Sequence, residues 1–308
     1  GQSKDWRKPP LTEKQTLVWY FGFSDSHYAL PATQEVVCVC DRQGDFFDLF
    51  CAPRPPNSHL LVRAAYDRRV DCEGQKLFAT LHAAPEAGVK TLALRGHNLT
   101  PARRVRLWVR FTRVTLLPPS YRKDLAAVTL PAVLAQEIDP PPGVKPLGWL
   151  LLTTCALDRF ADACQVLDWY ATRWLIERYH YVLKSGCHLQ ELQLATRARL
   201  EVALALYRIV AWRLLFLTYL AREQPEQSCE GLLTAPEWQA LYCSIHQTPL
   251  PPPSPPSLRE AVFWIARLGG FLARKGDGEP GVKVLWRGLQ RLQDITQMWR
   301  LLHGQTYG

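Results

Sequence analysis

The pattern of apolar and polar positions changes along the chain from short strand-like runs to long helical repeats. Residues 12–30 have a helical pattern, whereas Val36 to Cys40 is a short apolar run typical of a strand buried on both faces. Residues 59–65 form a second such run, and β-like stretches separated by turn signals continue over residues 76–153. From Arg159 onward the spacing is helical. We therefore predict an α/β region followed by an all-helical carboxyl-terminal region.

The helical half of the chain divides at positions rich in proline and glycine. The predicted helices span residues 196–222, 258–272 and 282–302. Residues 249–256 are dense in proline, which fixes φ and removes backbone donors, so this stretch is predicted to be a stiff loop. Residues 276–281 have the composition of a turn. The amphipathic pattern of the first of these helices fits either an internal helical core or a dimer contact.

A group of polar residues lies where a buried helical face would be apolar. The group consists of Tyr170, Arg173, Glu177 and Lys184, in a segment whose pattern predicts one helix. The last three residues follow the tyrosine by three, seven and fourteen positions. At about 100° per residue the four side chains share a stripe about 60° wide. A carboxylate between two cations suits a metal ion beside a phosphate backbone. A solvated charged face is the simpler alternative.

Asp41 lies directly beyond the apolar strand that ends at Cys40. Carboxylates at strand ends are common ligand sites in α/β folds, although Asp41 would equally cap the helix predicted after it. A strand-end carboxylate and a second one on a packed helix are how proteins hold divalent ions for phosphoryl transfer. Mg²⁺ prefers such oxygen ligands, and two ions about 4 Å apart can activate a water or a 3′-hydroxyl.

The composition of the chain is typical of a globular protein. The 308 residues include 47% hydrophobic and 21% charged residues, which describes a globular chain large enough for one or two domains. The net charge of +9, with a basic excess between residues 63 and 123, favours polyanions. No apolar run reaches the ~20 residues needed to cross a bilayer. Nine scattered cysteines without a C-x-x-C pair favour reduced thiols in a cytoplasmic protein.

The spacing Tyr-x2-Arg-x3-Glu-x6-Lys resembles the signature of DDE-type transposases of bacterial insertion sequences, in the subgroup with a β-rich insertion. The segment VCVCDRQGD resembles the strand that carries the second catalytic aspartate of that family, and LLVRAA and LGWLLLT resemble two of its DNA-contacting segments. The segments REAVFWIARLGGFLARKGDGEP and VLWRGLQRL resemble its helical carboxyl-terminal portion. The similarity extends over about residues 12–302.

The resemblance implies a role for each matching residue. Asp41 and Glu177 would be catalytic carboxylates and ligands of Mg²⁺, with Mn²⁺ as an alternative metal. Trp149 would stack on a flipped base, although a core tryptophan is the other interpretation of its apolar surroundings. The residues expected to bind DNA, mostly through phosphates near the transposon end, are Arg63, Trp149, Tyr170, Arg173 and Lys184.

The implied fold is α/β, with a partial ribonuclease-H-like core that contains an inserted β-rich subdomain and precedes an all-helical carboxyl-terminal region. The expected division gives residues 1–65 to the partial catalytic core and 66–146 to the β-rich insertion. Residues 147–195 would return to the core with the Glu177 helix, and residues 196–308 would form the helical domain.

The family requires three acidic ligands, and the residues before Val36 do not offer the first. Asp5, Glu13 and Asp25 occur in polar or helical contexts instead of the centre of an apolar strand. We therefore expect an amino-terminally truncated DNA transposase that is inactive by itself. The alternatives are a non-catalytic protein that pairs with full-length transposase, and a basic α/β protein without a nucleic-acid role.

The resemblance also implies partners and a location. The expected partner is double-stranded DNA, both at the transposon ends and at the target. A homodimer through the carboxyl-terminal helices is expected as well, and no membrane association. The protein is expected in the bacterial cytoplasm, associated with the nucleoid.

Overall fold

The computed structural model describes residues 17–70, 74–94, 103–122, 124–186, 192–274 and 277–303. The chain folds as two units that divide between Arg173 and Trp174. The first, called the sheet unit here, contains a six-stranded mixed sheet and the helices packed on it. The second, the helical unit, is built from helices. The expected order of an α/β region followed by a helical region is confirmed.

The six strands are β1 (Val36–Cys40), β2 (Ser58–Arg63), β3 (Glu86–Leu94), β4 (Arg103–Leu116), β5 (Val128–Glu137) and β6 (Gly148–Thr153). Their order across the sheet is β1-β2-β6-β5-β4-β3. β1 and β2 are parallel, whereas every other neighbouring pair is antiparallel. The strands predicted between residues 66 and 146 therefore continue the same sheet as β1 and β2, through the β5–β6 ladder.

The helices of the sheet unit are α1 (Leu17–Ala29), α2 (Phe47–Phe50), α3 (Leu77–Ala83) and α4 (Phe160–Thr172). Those of the helical unit are α5 (Trp174–Tyr181), α6 (Arg197–Glu223), α7 (Ala235–His246), α8 (Leu258–Leu268) and α9 (Val282–Leu302). A π-helical turn, Val182–Gly186, follows α5. Across the described ranges, none of these helices combines the length and apolar character needed to span a membrane.

The sheet buries side chains on both faces, in two separate cores. On one face, Leu61, Leu107 and Leu151 pack with buried residues of α4. On the other face, Leu60 and Leu152 pack with buried residues of α1, α2 and α3. Because successive residues of a strand point to opposite faces, a strand covered on both sides needs a continuous apolar run. This is why the sequence of β2 and β6 is apolar without alternation.

The helical unit has its own core, in which α8 and α9 approach each other closely. A methyl group on Gly288 of α9 would lie 1.8 Å from the carbonyl oxygen of Ile265, and one on Gly269 would lie 1.8 Å from that of Val284. Neither position has room for a Cβ atom. Glycine is therefore required at both positions for the two backbones to touch.

The segment of the four polar residues, 170–184, was predicted to be one helix, and this prediction is wrong. α4 ends before Arg173, whose N–H donates to the Tyr170 carbonyl at 3.1 Å in the tighter three-residue pattern. Tyr170 is buried in the sheet unit, whereas Val182 and Leu183 are buried in the core of the helical unit. The two ends of the segment are thus buried in two different cores. Helical periodicity alone does not show where such a segment divides.

The other predicted helices are confirmed with small changes. Residues 197–223 and 282–302 are helical as expected. The helix predicted over residues 258–272 ends at Leu268, because Gly269 and Gly270 follow and Gly270 takes a φ of +95°, which favours glycine. Parts of two predicted elements, residues 12–16 and 95–102, lie outside the described residues.

Candidate functional site

Asp41 begins the loop that follows β1. Its backbone is extended (φ −79°, ψ −165°), and its Oδ1 accepts a hydrogen bond from the Gln43 N–H at 2.8 Å, which caps the 3₁₀ turn Arg42–Gly44. The capping role considered for Asp41 is therefore present. Within the described residues Oδ2 accepts no hydrogen bond, and a carboxylate oxygen of this kind suits a hard cation such as Mg²⁺.

Arg63 lies at the end of β2, beside the position of Asp41. The parallel register pairs Cys40 with Val62, so Asp41 and Arg63 occupy equivalent positions at the carboxyl ends of two neighbouring strands. Arg63 Nη2 donates to the carbonyl of Gly148 at 3.0 Å. A carboxylate and a guanidinium therefore occur at the same end of the sheet, where ligands bind in many α/β proteins.

Trp149 and Tyr170 make an aromatic contact between β6 and α4. Their ring centroids are 5.0 Å apart and the rings are inclined at 72°, a favoured edge-to-face arrangement. Trp149 is 8% exposed and Tyr170 is 4% exposed, and both belong to the core on the α4 face of the sheet. Trp149 also lies two positions before Leu151, the cross-strand partner of Arg63. Both residues thus have a packing role, next to the strand end that holds Arg63.

The structure brings together some of the predicted site residues and leaves others in a different unit. Asp41, Arg63, Trp149 and Tyr170 all belong to the sheet unit, and contacts or register link each of them to the next. Arg173 directly follows α4 as its carboxyl-terminal cap residue, in the same unit. The remaining two belong to the helical unit, where they are exposed: Glu177 in the first turn of α5 and Lys184 in the π-helical turn.

The chemistry of the predicted ligands fits a hard divalent ion, since Asp41 and Glu177 both offer carboxylate oxygens. Among the residues that the structure describes, no group of three or more His, Cys, Asp and Glu side chains lies close enough together to hold a metal ion. Asp41 and Glu177 lie on opposite sides of the division between the units. Their shared metal site stays a prediction.

Asp45 is a residue that the sequence analysis did not identify. Its side chain is fully buried, and Oδ2 accepts the N–H groups of Ala65 at 2.6 Å and Tyr66 at 3.1 Å. Oδ1 accepts two hydrogen bonds from the Arg68 guanidinium, at 2.6 and 3.2 Å. Asp45 therefore ties the loop after Asp41 to the segment after β2, and so positions both strand ends. Its four-residue spacing from Asp41 in VCVCDRQGD was the available signal.

Gly44 lets the same loop pack closely against β1, because glycine has no side chain. A methyl group at this position would lie 2.5 Å from Cys40 Cβ and 3.3 Å from its Sγ. The Cys40 thiol is buried, and its contact with Cys38 together with burial raises its pKa, so the thiol stays neutral. The turn after Asp41 can therefore lie directly against the strand.

Glu137, at the end of β5, orders the segment that leads into β6. Its carboxylate accepts hydrogen bonds from both Nη atoms of Arg103 and from the Leu147 N–H at 2.8 Å. The Arg103 guanidinium, and to a lesser extent the Leu147 N–H, lowers the pKa of Glu137 below its usual range. Since Leu147 directly precedes β6, this network fixes the strand that carries Trp149.

Comparison with known families gives a match in the helical unit. Residues 209–303 match the family model described as the Transposase Tn5 dimerisation domain. The matched segment begins within α6, contains α7, α8 and α9, and ends one residue after α9. The match shows that this segment of the chain is similar to part of a transposase. The similarity is to the domain that the model describes as responsible for dimerisation of transposase Tn5. The expected resemblance of the carboxyl-terminal helices is confirmed to this extent.

Proposed function

We propose that this chain belongs to a DDE-type DNA transposase, which performs metal-dependent cleavage and strand transfer at insertion-sequence ends. The observation that carries the proposal is the common position of Asp41, Arg63, Trp149 and Tyr170 around one end of the sheet. These residues were selected from separate motifs of the sequence. The match of residues 209–303 to a transposase dimerisation domain is independent support.

In the proposed mechanism, Asp41 and Glu177 supply two carboxylates to Mg²⁺. The bound ion would activate a water or a 3′-hydroxyl and neutralise charge at the phosphate. The second oxygen of Asp41 supports this role, because the cap hydrogen bond uses only Oδ1. A third carboxylate is needed in this class of site. We expect residues 1–308 alone to lack strand-transfer activity, since neither acidic residue that the structure describes before Val36 lies within a strand: Asp25 belongs to α1, and Glu35 precedes β1.

The remaining residues of the proposed site would hold DNA. Arg63, Arg173 and Lys184 carry the charge to contact phosphates, which positions a strand without reading its sequence. Trp149 would receive an extruded base, and this requires its ring to separate from Tyr170, now 5.0 Å away between centroids. The helical unit would join two copies of the chain, so that each DNA end is held by a dimer.

Localised cleavage by iron tests the shared metal site. Fe²⁺ bound in place of Mg²⁺ produces hydroxyl radicals with ascorbate and peroxide, and these cut the backbone next to the ligands. We expect two cuts in the wild-type chain, near residues 41 and 177, which excess Mg²⁺ suppresses. Asp41→Asn and Glu177→Gln should each abolish both cuts. Glu201→Gln, which changes an exposed carboxylate on α6, is the matched control and should keep both.

Cuts near only one of the two residues, or cuts that persist in Asp41→Asn, would contradict the shared site. The second candidate function, a non-catalytic partner of a complete transposase, is supported by the dimerisation-domain match. It predicts no cuts at either residue, together with mixed dimers when the chain is combined with a complete transposase of the same subgroup. Size-exclusion chromatography of the mixture measures this second outcome.

A further inference from the structure

The face of the sheet opposite α4 carries an exposed group of side chains at one end of β4. Arg104, Arg106 and Trp108 alternate with Val105 and Leu107, which are buried on the α4 face. The three therefore share the opposite face, where Arg104 and Arg106 are exposed and Trp108 is 39% exposed. Farther along β4 the same face is covered, since residues 114 and 116 are buried in the other core. We call Arg104, Arg106 and Trp108 the open patch.

The two arginines of the open patch differ from three basic neighbours in β3 and β4. Arg103 is paired with Glu137, Lys90 with Asp168, and Arg110 with Glu86, so these three charges are balanced within the sheet unit. Across the residues that the structure describes, Arg104 and Arg106 make no ion pair or side-chain hydrogen bond. Their guanidinium groups are therefore open to an external anion.

β3, one of the two strands beside β4, leaves space above the patch. The residues of β3 opposite Arg104 and Arg106 are Ala93 and Thr91, whose short side chains do not cover the guanidinium groups. Alternate residues of a strand lie about 7 Å apart on one face. The patch therefore presents two cations and one aromatic face in a row along β4, with the aromatic ring at one end.

This combination fits a nucleic-acid strand better than other anionic partners. Grooves that bind single strands combine cations for the backbone with aromatic rings for the bases, because every base has a π-face that can stack. A lipid surface needs a larger apolar area than one indole ring to hold a protein. A base paired within a duplex has no free face, so an exposed ring is of use only to an unpaired base.

We propose that Arg104, Arg106 and Trp108 form a second nucleic-acid-binding surface, which binds unpaired DNA through two phosphates and one stacked base. This surface lies on the face of the sheet opposite Trp149 and Tyr170, so it is separate from the proposed catalytic site. It requires no metal ion and none of the residues proposed for catalysis. The inference therefore goes beyond the proposed function and can hold or fail independently of it.

Binding of a fluorescently labelled oligothymidylate to the full chain, measured by anisotropy, tests the surface. Trp108→Ala should weaken binding about 5- to 150-fold, the equivalent of ~1–3 kcal/mol for one stacked base. Trp108→Phe should retain most of the affinity, since it keeps an aromatic ring. The double variant Arg104→Ala/Arg106→Ala should lower the slope of log K against log salt by about 1.4, or about 0.7 for each lost phosphate contact.

Two matched variants control for general charge and for the catalytic site. Arg267→Ala/Arg287→Ala removes two exposed arginines of the helical unit and should leave affinity and slope unchanged. Asp41→Asn should bind the oligothymidylate at least as well as the wild type, even if the iron experiment finds no metal site. Thermal unfolding should show the same midpoint for all the variants at exposed positions, which excludes loss of the fold as the cause.

Wild-type affinity in both Trp108→Ala and the double arginine variant would overturn the proposal. Equal losses for Trp108→Phe and Trp108→Ala would overturn the stacking role. Binding to vesicles that contain phosphatidylserine, without binding to the oligothymidylate, would assign the patch to a lipid surface and also reject the proposal.

Discussion

The two units of the chain differ in what holds them together and in what they expose. In the sheet unit, ion pairs with a buried carboxylate link segments distant in sequence, as in Asp45–Arg68 and Arg103–Glu137. In the helical unit, close backbone contact at Gly269 and Gly288 joins α8 to α9. The sheet unit exposes arginines on β4, whereas α6 of the helical unit exposes apolar side chains: Val202, Leu206, Ile209 and Trp212.

This difference is what the proposed function requires, in which the two units bind different partners. Exposed cations at strand ends and on an open sheet face suit a polyanion. A row of exposed apolar side chains on one helix suits a protein partner, which is consistent with the dimerisation-domain match of residues 209–303. Charged residues of the sheet unit also hold distant segments of that unit together. The stability of the sheet unit should therefore depend on polar groups much more than the stability of the helical unit does.

Asp45→Ala is expected to have the largest effect. The change leaves the Arg68 guanidinium and the N–H groups of Ala65 and Tyr66 without their acceptor, in a site where the Asp45 side chain is fully buried. Removal of one partner from a buried pair costs about 3–5 kcal/mol. Urea unfolding measures this loss, and hydrogen exchange should place it in the sheet unit.

Asp168→Ala is the matched control for Asp45. It removes a pair with Lys90 in which the aspartate is half exposed, and such pairs contribute about 0–1 kcal/mol. Equal losses of stability in the two variants would refute the view that the buried network, and not carboxylates in general, holds the sheet unit together.

Gly288→Ala should have the next largest effect, in the helical unit. Alanine is the better helix former by about 1 kcal/mol, but its methyl group would lie 1.8 Å from the Ile265 carbonyl oxygen, so α8 and α9 must separate. Overpacking of this kind costs about 1–3 kcal/mol. Thermal unfolding checks the loss, with Gly231→Ala as control, since its methyl group meets no atom within 4 Å. A stabilised Gly288→Ala variant would show that the helices do not touch there.

Acidification should produce the smallest effect, again in the sheet unit. The pKa of Glu137 is lowered by Arg103 and Leu147, and that of Asp162 is lowered by the backbone N–H groups of Asp158 and Arg159. A carboxyl group with a lowered pKa stabilises the fold fully above its unfolded pKa, about 4 for both types, and loses this contribution as pH falls further. The temperature midpoint of unfolding should therefore decrease as the pH is lowered below about 4.

Glu137→Gln separates the contribution of this one carboxylate. The variant should be less stable than the wild type at pH 7, and the difference should shrink as pH falls, because protonation removes the wild-type charge as well. Melting curves recorded from pH 7 to pH 3 give both quantities. A difference between the two proteins that stays constant over this range would show that the charge of Glu137 does not stabilise the fold.

The sequence predicted the elements of the fold better than their contacts. Local patterns were sufficient for the apolar run of β1, for the strand-end position of Asp41 and for the helix over residues 282–302, because each depends on neighbours in the chain. The break at Arg173 was missed, since the residues on its two sides are buried in cores built from distant segments.

The sequence by itself determined that β4 alternates arginines with apolar residues. It also determined that four residues of the proposed site lie in four separate motifs: Asp41, Arg63, Trp149 and Tyr170. Only the tertiary structure decided that Arg103 is neutralised by Glu137, 34 positions away in the chain, while Arg104 is not. Register places Glu137 opposite Leu107, on the face of the sheet that Arg103 shares with Leu107, and Arg104 lies on the other face. The tertiary structure also decided that Asp45 supports the loop beside Asp41. The physical reason is that a charge is stabilised or left open by the groups that folding brings within hydrogen-bonding distance, and these lie far away in the chain.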